Sequence, residues 1–263
     1  MKHNMELFDI RGKNAVVIGG AGGLGKTLAK GLVNAGTKTA IVDISDEAMN
    51  RAKDEIKAEF GVEVGTYAVD ATNEEKVIEM VNKTVADLGK VDILVCAQGI
   101  NKKFPAQEFP VDAYRALFEV NVVSIMLCCK HFGNHMISNG YGKIVIISSV
   151  RGKVATLGPG NVGYCTTKGA VDMLTRQLAS EFGPHGITVN AIGPTVTETP
   201  MMTGIIEQRG GDAYRKSLID QLPMRKMAMP EYIVGTALFL AAPASDFMTG
   251  NILYPDGGLT CVG

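Results

Sequence analysis

Short runs of Val, Ile, Leu and Ala recur along this chain, and most are followed by a segment with helical spacing. The runs are Ala15–Ile18, Thr39–Val42, Val64–Val69, Asp92–Cys96, Lys143–Ile147, Thr188–Ile192 and a short one near Asn251–Tyr254. The helical stretches are Leu24–Asn34, Asp46–Phe60, Glu74–Leu88, Val111–Asn134, Tyr164–Phe182 and Pro230–Ala241. The runs are continuously apolar rather than alternating, so both faces of each strand must be covered. Strands that alternate with helices and are buried on both faces predict an α/β chain: a doubly wound, mostly parallel sheet with helices on both faces.

The 263 residues, 46% of them hydrophobic, show no internal repeat and no Pro/Ser-rich linker, so 1–263 reads as a single domain. The stretch 195–229 departs from the βα rhythm. It sets Met201, Met202, Met224, Met227 and Met229 among prolines and glycines, and it is expected to form a substrate lid or to pack on a partner subunit. Twenty-six basic against 27 acidic residues give a net charge of −1, which leaves no footprint for nucleic acid or an anionic membrane. No run approaches the ~18 apolar residues of a membrane span, and Met1–Ile10 lacks the apolar stretch of a secretory signal. Five cysteines, Cys96, Cys128, Cys129, Cys165 and Cys261, are an odd number without a C-x-x-C pair. They read as the reduced thiols of a cytoplasmic protein. Cys96 and Cys165 could sense redox state, against the blander reading of inert buried thiols.

Residues 19–27 read Gly-Gly-Ala-Gly-Gly-Leu-Gly-Lys-Thr, between a strand and a helix. Two phosphate-binding patterns overlap there. Gly20 to Thr27 fits the triphosphate loop G-x-x-x-x-G-K-[ST], and Gly19, Gly23 and Gly25 fit a dinucleotide loop. Either would bring backbone N–H groups and a helix N-terminus to a phosphate. Asp43 decides between them. It closes the second strand, where a carboxylate would accept from the adenosine ribose hydroxyls. The acid that a triphosphatase needs at the end of a later strand is missing, since Asp92 begins its strand. The fold expectation is therefore a Rossmann-type domain. Asp43 would also repel a 2′-phosphate, and neither Gly22 nor Ile44 supplies a cation to receive one, so NAD is favoured over NADP.

Tyr164 and Lys168 stand at i and i+4 on one predicted helix. A neighbouring ammonium would lower a phenol, normally near ~10, toward a useful proton-transfer range. Such pairs are common on helix surfaces. The glycine loop, Asp43 and Ser148-Ser149 at the end of the preceding strand make this one specific. From about Gly12 to Gly258 the chain resembles the short-chain dehydrogenase/reductase family. The resemblance is carried by Gly19-x3-Gly23-x-Gly25, Asp70-Ala71, Asn121 in Glu-Val-Asn-Val, Ser149, Tyr164-x3-Lys168, Pro194, Thr199 and Thr249-Gly250…Asp256-Gly257-Gly258.

The resemblance implies a catalytic tetrad. Tyr164 would be the general acid/base, Lys168 would lower its pKa and hold the nicotinamide ribose, Ser149 would bond the reacting oxygen, and Asn121 would hold a water linking Lys168 to solvent. It implies cofactor contacts at Gly19, Gly23, Leu24, Gly25, Asp43, Asp70, Ala71, Ala97, Gly99, Pro194, Thr197 and Thr199, with Tyr164 and Lys168, and it implies a homotetramer. The chain departs from the family at Ile18, Cys96-Ala97-Gln98-Gly99 and Pro194-Thr195. Its Ser149–Tyr164 interval is longer than usual, which leaves Ser148 and Ser149 both open as the serine of the tetrad.

Within the family, Gly99-Ile100-Asn101-Lys102-Lys103 and the tail Asn251–Leu259 are most similar to gluconate 5-dehydrogenases and related sugar-acid or polyol dehydrogenases. The expected activity is therefore an NAD-dependent interconversion of a secondary alcohol and a ketone on a small polyhydroxylated substrate. An anionic substrate group is left open by Lys102, Lys103 and Arg151. A solvated surface reading of these loop cations carries slightly more weight. A 3-oxoacyl-thioester reductase and a non-catalytic nucleotide-binding scaffold are the rival readings. No metal is expected: His131 and His135 sit at i, i+4 without a catalytic Glu between them and read as helix-surface residues.

Overall fold

The computed structural model describes residues 4–262. Residues 1–3 and 263, the ends of the 1–263 assignment and part of Met1–Ile10, lie outside the described residues. Seven strands, β1 (Asn14–Ile18), β2 (Lys38–Asp43), β3 (Gly65–Ala68), β4 (Ile93–Cys96), β5 (Gly142–Ile147), β6 (Ile187–Ile192) and β7 (Ile252–Leu253), form one sheet in the order β3-β2-β1-β4-β5-β6-β7. Every pairing is parallel. This is the doubly wound arrangement expected, with β3 and β7 shorter than the runs that predicted them. The chain reverses its winding between β1 and β4, which opens a crevice at their carboxyl ends, the place where such sheets bind ligands.

Side-chain alternation along the strands divides the core in two. Val16, Ile18, Leu94, Cys96, Ile144 and Ile146 belong to one apolar layer, and Ala15, Val17, Ile93, Val95, Val145 and Ile147 belong to the other. The first layer includes residues of α3 (Glu74–Leu88), α5 (Ser124–Asn139) and α6 (Val162–Phe182). The second includes residues of α1 (Gly23–Asn34), α2 (Asp46–Phe60) and α9 (Glu231–Ala241). Helix ends follow local chemistry. Ser45 and Asn73 cap α2 and α3 by accepting from Ala48 and Lys76 N–H, with two acidic residues in each first turn.

The long helix predicted over Val111–Asn134 is not uniform. It runs as α4 (Val111–Phe118), a π turn (Glu119–Val123) and α5, which continues to Asn139. The stretch 111–139 is long and apolar enough to cross a membrane, but half of its most apolar window is buried. Leu117, Ile125, Cys128, Phe132 and Met136 are among its buried residues, and it is a core helix of this fold. The segment 195–229 contains two helices that the sequence reading did not resolve, α7 (Pro200–Gln208) and α8 (Asp212–Asp220). Its base is pinned where Thr197 pairs with Ala228 as an isolated bridge.

Phe132 is fully buried between sheet and helices, whereas Ile78 on α3 is 39% exposed. Phe132→Ala is expected to cost about 3–5 kcal/mol through lost transfer and the cavity left behind. Ile78→Ala should cost less than about 1.5 kcal/mol. Urea denaturation of the two variants tests the difference.

Candidate active site

The crevice at the β1/β4 switch has a volume of about 570 Å³. Its floor is the glycine loop. Gly19 has a φ of +73°, and a Cβ on it would stand 2.7 Å from Gln98 N; a Cβ on Gly25 would stand 2.1 Å from Gly19 O. Any side chain at either position would push the loop off the β4 end, so the two glycines let the backbones close up. The carboxylate of Asp43 accepts from Ala21 N–H at 3.1 Å and from Ile44 N–H at 2.8 Å, which fixes it beside the loop. Lys26 turns away to pair with Glu55 on α2 at 2.8 Å. In this arrangement it is an ordinary helix residue, not the phosphate lysine of a triphosphate loop.

Gly19, Gly23, Leu24, Gly25, Asp43, Asp70, Ala71, Ala97, Gly99, Pro194, Thr197 and Thr199 all line this crevice, as do Ser149, Tyr164 and Lys168. Thr199 also caps α7 by accepting from Met202 N–H, so the start of the 195–229 segment is tied to the crevice wall. Met201 and Met202 contribute to that wall. Asp70 is exposed, and one of its oxygens accepts from Thr72.

Tyr164 and Lys168 lie on one face of α6, and the lysine is almost wholly buried. Its Nζ donates to Ile147 O at 2.8 Å and lies 5.6 Å from the centre of the Tyr164 ring. Burial lowers the Lys168 pKa to about 8, against the pull of Asp172 in the other direction. Burial pushes the Tyr164 phenol up, while the Ser149 hydroxyl and the Arg151 charge draw it down. The two serines separate. Ser148 Oγ donates to Asp172 Oδ1 at 2.5 Å, whereas Ser149 is the hydroxyl that acts on Tyr164. Backbone geometry helps: Ser149 is extended, its Oγ accepting from Arg151 N–H at 3.2 Å.

Asn121 sits in the π turn, fully buried. Its Oδ1 accepts from Ile100 N–H at 2.8 Å, and its Nδ2 donates to Ile100 O at 2.9 Å and Thr167 Oγ1 at 3.1 Å. The extra residue of a π turn re-aims this one side chain toward the β4 end. A Cβ on Gly99 would fall 3.4 Å from Asn121 Oδ1 and 3.7 Å from Lys168 Nζ, so Gly99 is where the β4 loop meets both groups.

Further cations lie outside the lining of this crevice, on the loops after β4 and β5 and at the end of α7. Lys102 is exposed, and no ion pair or side-chain hydrogen bond involves it among the described residues. Lys103 is the inward lysine. Its pKa is lowered by burial and by the charges of Arg209 and Arg151. A Cβ on Gly160 would lie 3.5 Å from both Arg209 Nη2 and Lys103 Cβ, so the β4 loop, the loop after β5 and the end of α7 converge. Arg151 donates to Ala155 O at 2.9 Å, and no carboxylate pairs with any of these three cations among the described residues. Asn101 Oδ1, two residues away, is buried without a partner. The sequence reading left Lys102, Lys103 and Arg151 open together and did not consider Arg209, because adjacent loop positions carry no periodicity that tells inward from outward.

Other candidates resolve simply. His131 shares Glu74 Oε1 at 2.9 Å, and His135 Nε2 accepts from Val91 N–H at 3.2 Å, so the two rings serve different partners. All five cysteines are free. A hydrogen bond from Cys129, then burial, holds the Cys96 thiol well above its usual range, which fits a fully buried core thiol.

A family model described as enoyl-(acyl carrier protein) reductase matches residues 19–260. The gluconate 5-dehydrogenase of Gluconobacter oxydans (strain 621H) is 34% identical over 255 residues, 97% of each chain. The crystal structure of a gluconate 5-dehydrogenase from Burkholderia cenocepacia J2315, in complex with NADP and tartrate, superposes with a TM-score of 0.92. It is 31% identical over 99% of this chain and 100% of that one. An NAD+-bound xylitol dehydrogenase superposes with a TM-score of 0.89 at 33% identity, over 94% and 99% of the two chains. The structures of such relatives thus hold NAD+ or NADP. Fold, site geometry and these likenesses agree: the chain belongs to the short-chain dehydrogenase/reductase family, oxidoreductases that act on CH–OH groups.

Proposed function

We propose that the protein is an NAD-dependent oxidoreductase that interconverts a secondary alcohol and a ketone on a small, polyhydroxylated, anionic substrate of the sugar-acid type. The observation that carries this reading is the convergence of Tyr164, Lys168 and Ser149 on a crevice that also holds the glycine loop and Asp43, with Asn121 buried behind it and bonded to Ile100 of its wall.

The crevice fits a dinucleotide. The close approach at Gly19 and Gly25 leaves the N-terminus of α1 open to a pyrophosphate, and Asp43 has free lone pairs for ribose hydroxyls. Asp70 and Ala71 would flank the adenine, and Pro194, Thr197 and Thr199 the carboxamide. Lys168 is the only cation among the lining residues, and it stands beside Tyr164 rather than beside Asp43. Among the described residues lining the crevice, none beside Asp43 is a cation that would receive a 2′-phosphate, which supports NAD over NADP. When bound, the cofactor supplies the hydride acceptor or donor.

The protein's own groups handle the proton and the oxygen. Ser149 Oγ donates to the substrate oxygen, and Tyr164 Oη takes the hydroxyl proton in oxidation and returns it in reduction. Lys168 favours the phenolate through its charge and would donate to the nicotinamide ribose when the cofactor is bound. Asn121 holds the β4 loop and the π turn together and leaves lone-pair capacity for a water toward Lys168. Lys103, Arg151 and Arg209 lie outside that lining but cluster without a carboxylate partner among the described residues, which suits a substrate carboxylate, and Asn101 Oδ1 offers an acceptor to a substrate hydroxyl. That polar cluster argues against an acyl-thioester chain, and the assembled tetrad argues against a scaffold. On this reading the chain is one catalytic unit, and 195–229 covers the substrate and brings Arg209 to it. Exposed Met126 and Met173 on α5 and α6 support pairing of these helices across a homotetramer. The free thiols support a reducing, cytoplasmic setting.

Initial rates with sugar acids, polyols and hydroxy acids, read from reduced-nicotinamide absorbance, test the reaction. Tyr164→Phe should lower kcat by about 10²–10⁴-fold while calorimetry still finds NAD bound; undiminished turnover would remove Tyr164 from the chemistry. Asp43→Ala should narrow the kcat/KM preference for NAD over NADP by about tenfold or more, one ribose hydrogen-bond set being worth roughly 1.5–3 kcal/mol. Arg209→Gln and Lys103→Met should each raise KM for a carboxylate substrate by about tenfold and leave a neutral polyol nearly unaffected. Equal effects on both substrates would show that these cations do not meet an anion.

A further inference from the structure

A second cavity, of about 510 Å³, lies between the end of the 195–229 segment and the chain after β7. Met224, Met227, Ala228, Tyr232, Tyr254 and Pro255 line it. The polar groups beside them are already engaged. The Asp256 carboxylate accepts from Gly258 N–H at 2.9 Å and from Thr260 N–H at 2.8 Å. Tyr254 OH donates to Asp172 Oδ2 at 3.2 Å, and Lys226 Nζ lies 4.8 Å from the centre of the Tyr232 ring. What is left suits an apolar chain.

Thr195 is the one described residue that lines both this cavity and the crevice. It stands beside the reacting groups, since it follows Pro194, whose carbonyl oxygen lies 3.5 Å from Ser149 Oγ. The backbone on either side of it is pinned. Pro194 O accepts from Val150 N–H at 3.0 Å, Val196 O accepts from Ala228 N–H at 3.1 Å, and Thr195 O accepts from Thr197 Oγ1 at 2.9 Å. The first bond ties this turn to the chain after β5, and the second ties it to the lining of the second cavity. A β-branched side chain on so fixed a backbone has few rotamers to swing through. Thr195 Oγ1 is buried and has no hydrogen-bond partner among the described residues. The hydroxyl anchors nothing, so the side chain acts here through the space that it fills.

Resting on the dehydrogenase reading, we propose that Thr195 is a specificity-determining residue: its side chain is the partition that closes the crevice against the second cavity and limits how far a substrate extends past the reacting carbon. The carboxylate end of the substrate is assigned to the loops that carry Lys103, Arg151 and Arg209. The end on the other side of the carbinol is the one that meets Thr195. Removing the side chain joins the two spaces and lets that end continue along Met224, Met227 and Pro255.

Two acids that share a carboxylate and a carbinol test the partition: 3-hydroxybutanoate, and 3-hydroxyoctanoate, which is longer by four methylenes. Binding is read first, by calorimetry without NAD, so that nothing is turned over. Relative to the unaltered protein, Thr195→Gly should shift the binding ratio toward the longer acid by about tenfold or more, a part of what four buried methylenes can supply. Thr195→Ala, a smaller opening, serves should the glycine variant fail to fold, with a shift of about threefold. Thr195→Val keeps the branched shape and drops the hydroxyl, and should leave the ratio within about twofold. Met224 is 59% exposed at the rim of the second cavity. Met224→Trp should fill that space and cancel the gain in the glycine background. The same order is expected in kcat/KM for NAD-dependent oxidation of the two acids. A glycine or alanine variant that takes the longer acid no better than the unaltered protein does would overturn the proposal, as would an equal gain in the valine variant or a gain that survives Met224→Trp. A protein in which the binding ratios move as expected but no hydroxy acid is oxidised would fail the dehydrogenase reading and leave the partition standing.

Discussion

A lysine ammonium buried against a main-chain carbonyl ties this site together. The bond from Lys168 to Ile147 O fastens α6 to the end of β5, and that junction fixes where Ser149 and Tyr164 face each other. Burying an ammonium is costly unless it is compensated. Here the compensation comes from the carbonyl, from the Tyr164 ring at 5.6 Å and from the carboxylate field of Asp172. At that separation an ammonium and a phenolate attract by about 3 kcal/mol for an effective dielectric constant near ~20, equivalent to roughly two pKa units. Solvent exposure would erase most of this, so the burial that depresses the lysine also gives it leverage over the tyrosine.

The opposite wall of the crevice depends on a defect. A regular helix from Val111 onward would give Asn121 a different direction. The π turn at Glu119–Val123 turns it toward Ile100, where it saturates both backbone groups of that residue. Gly99 completes the contact by lacking a side chain. Helix, strand end and loop are thus joined through one amide, and the loop that leads on to Asn101 and Lys103 inherits its position.

The layered sheet was legible because burial on both faces leaves continuous apolar runs, and a parallel sheet covered by helices on both faces hides them. The glycine loop, Asp43 and the Tyr164/Lys168 pair were legible because each depends on a fixed spacing along the chain. What stayed hidden depends on space. The π turn leaves Glu-Val-Asn-Val with unremarkable helical composition. Ser148 and Ser149 are chemically identical, and only the direction of the backbone after β5 sends one to Asp172 and the other to Tyr164. Asp172 belongs to none of the sequence motifs. It is buried because two strand ends and the chain at Gly152 close over it, and that closure is long-range. Lys102 and Lys103 differ by one position on a loop, where neither helical nor strand period assigns a side.

The division of labour along the crevice follows from this contrast. The groups assigned to the proton and the reacting oxygen sit at strand ends and in helices, where backbone hydrogen bonds hold them. The cations assigned to the substrate sit on the β4 loop, the loop after β5 and the segment between Thr197 and Ala228. That segment is tied down by the bridge at its base, by the Thr199 cap and by the ion pair of Glu198 with Arg215. Its base is therefore tied to the sheet side of the crevice, while Arg209 follows the end of α7. Loops on a rigid scaffold can change what they recognise without disturbing the reaction beneath them. On the proposed reading, the reaction centre is held by sheet and helices while the cations of these loops are where substrate choice would be set.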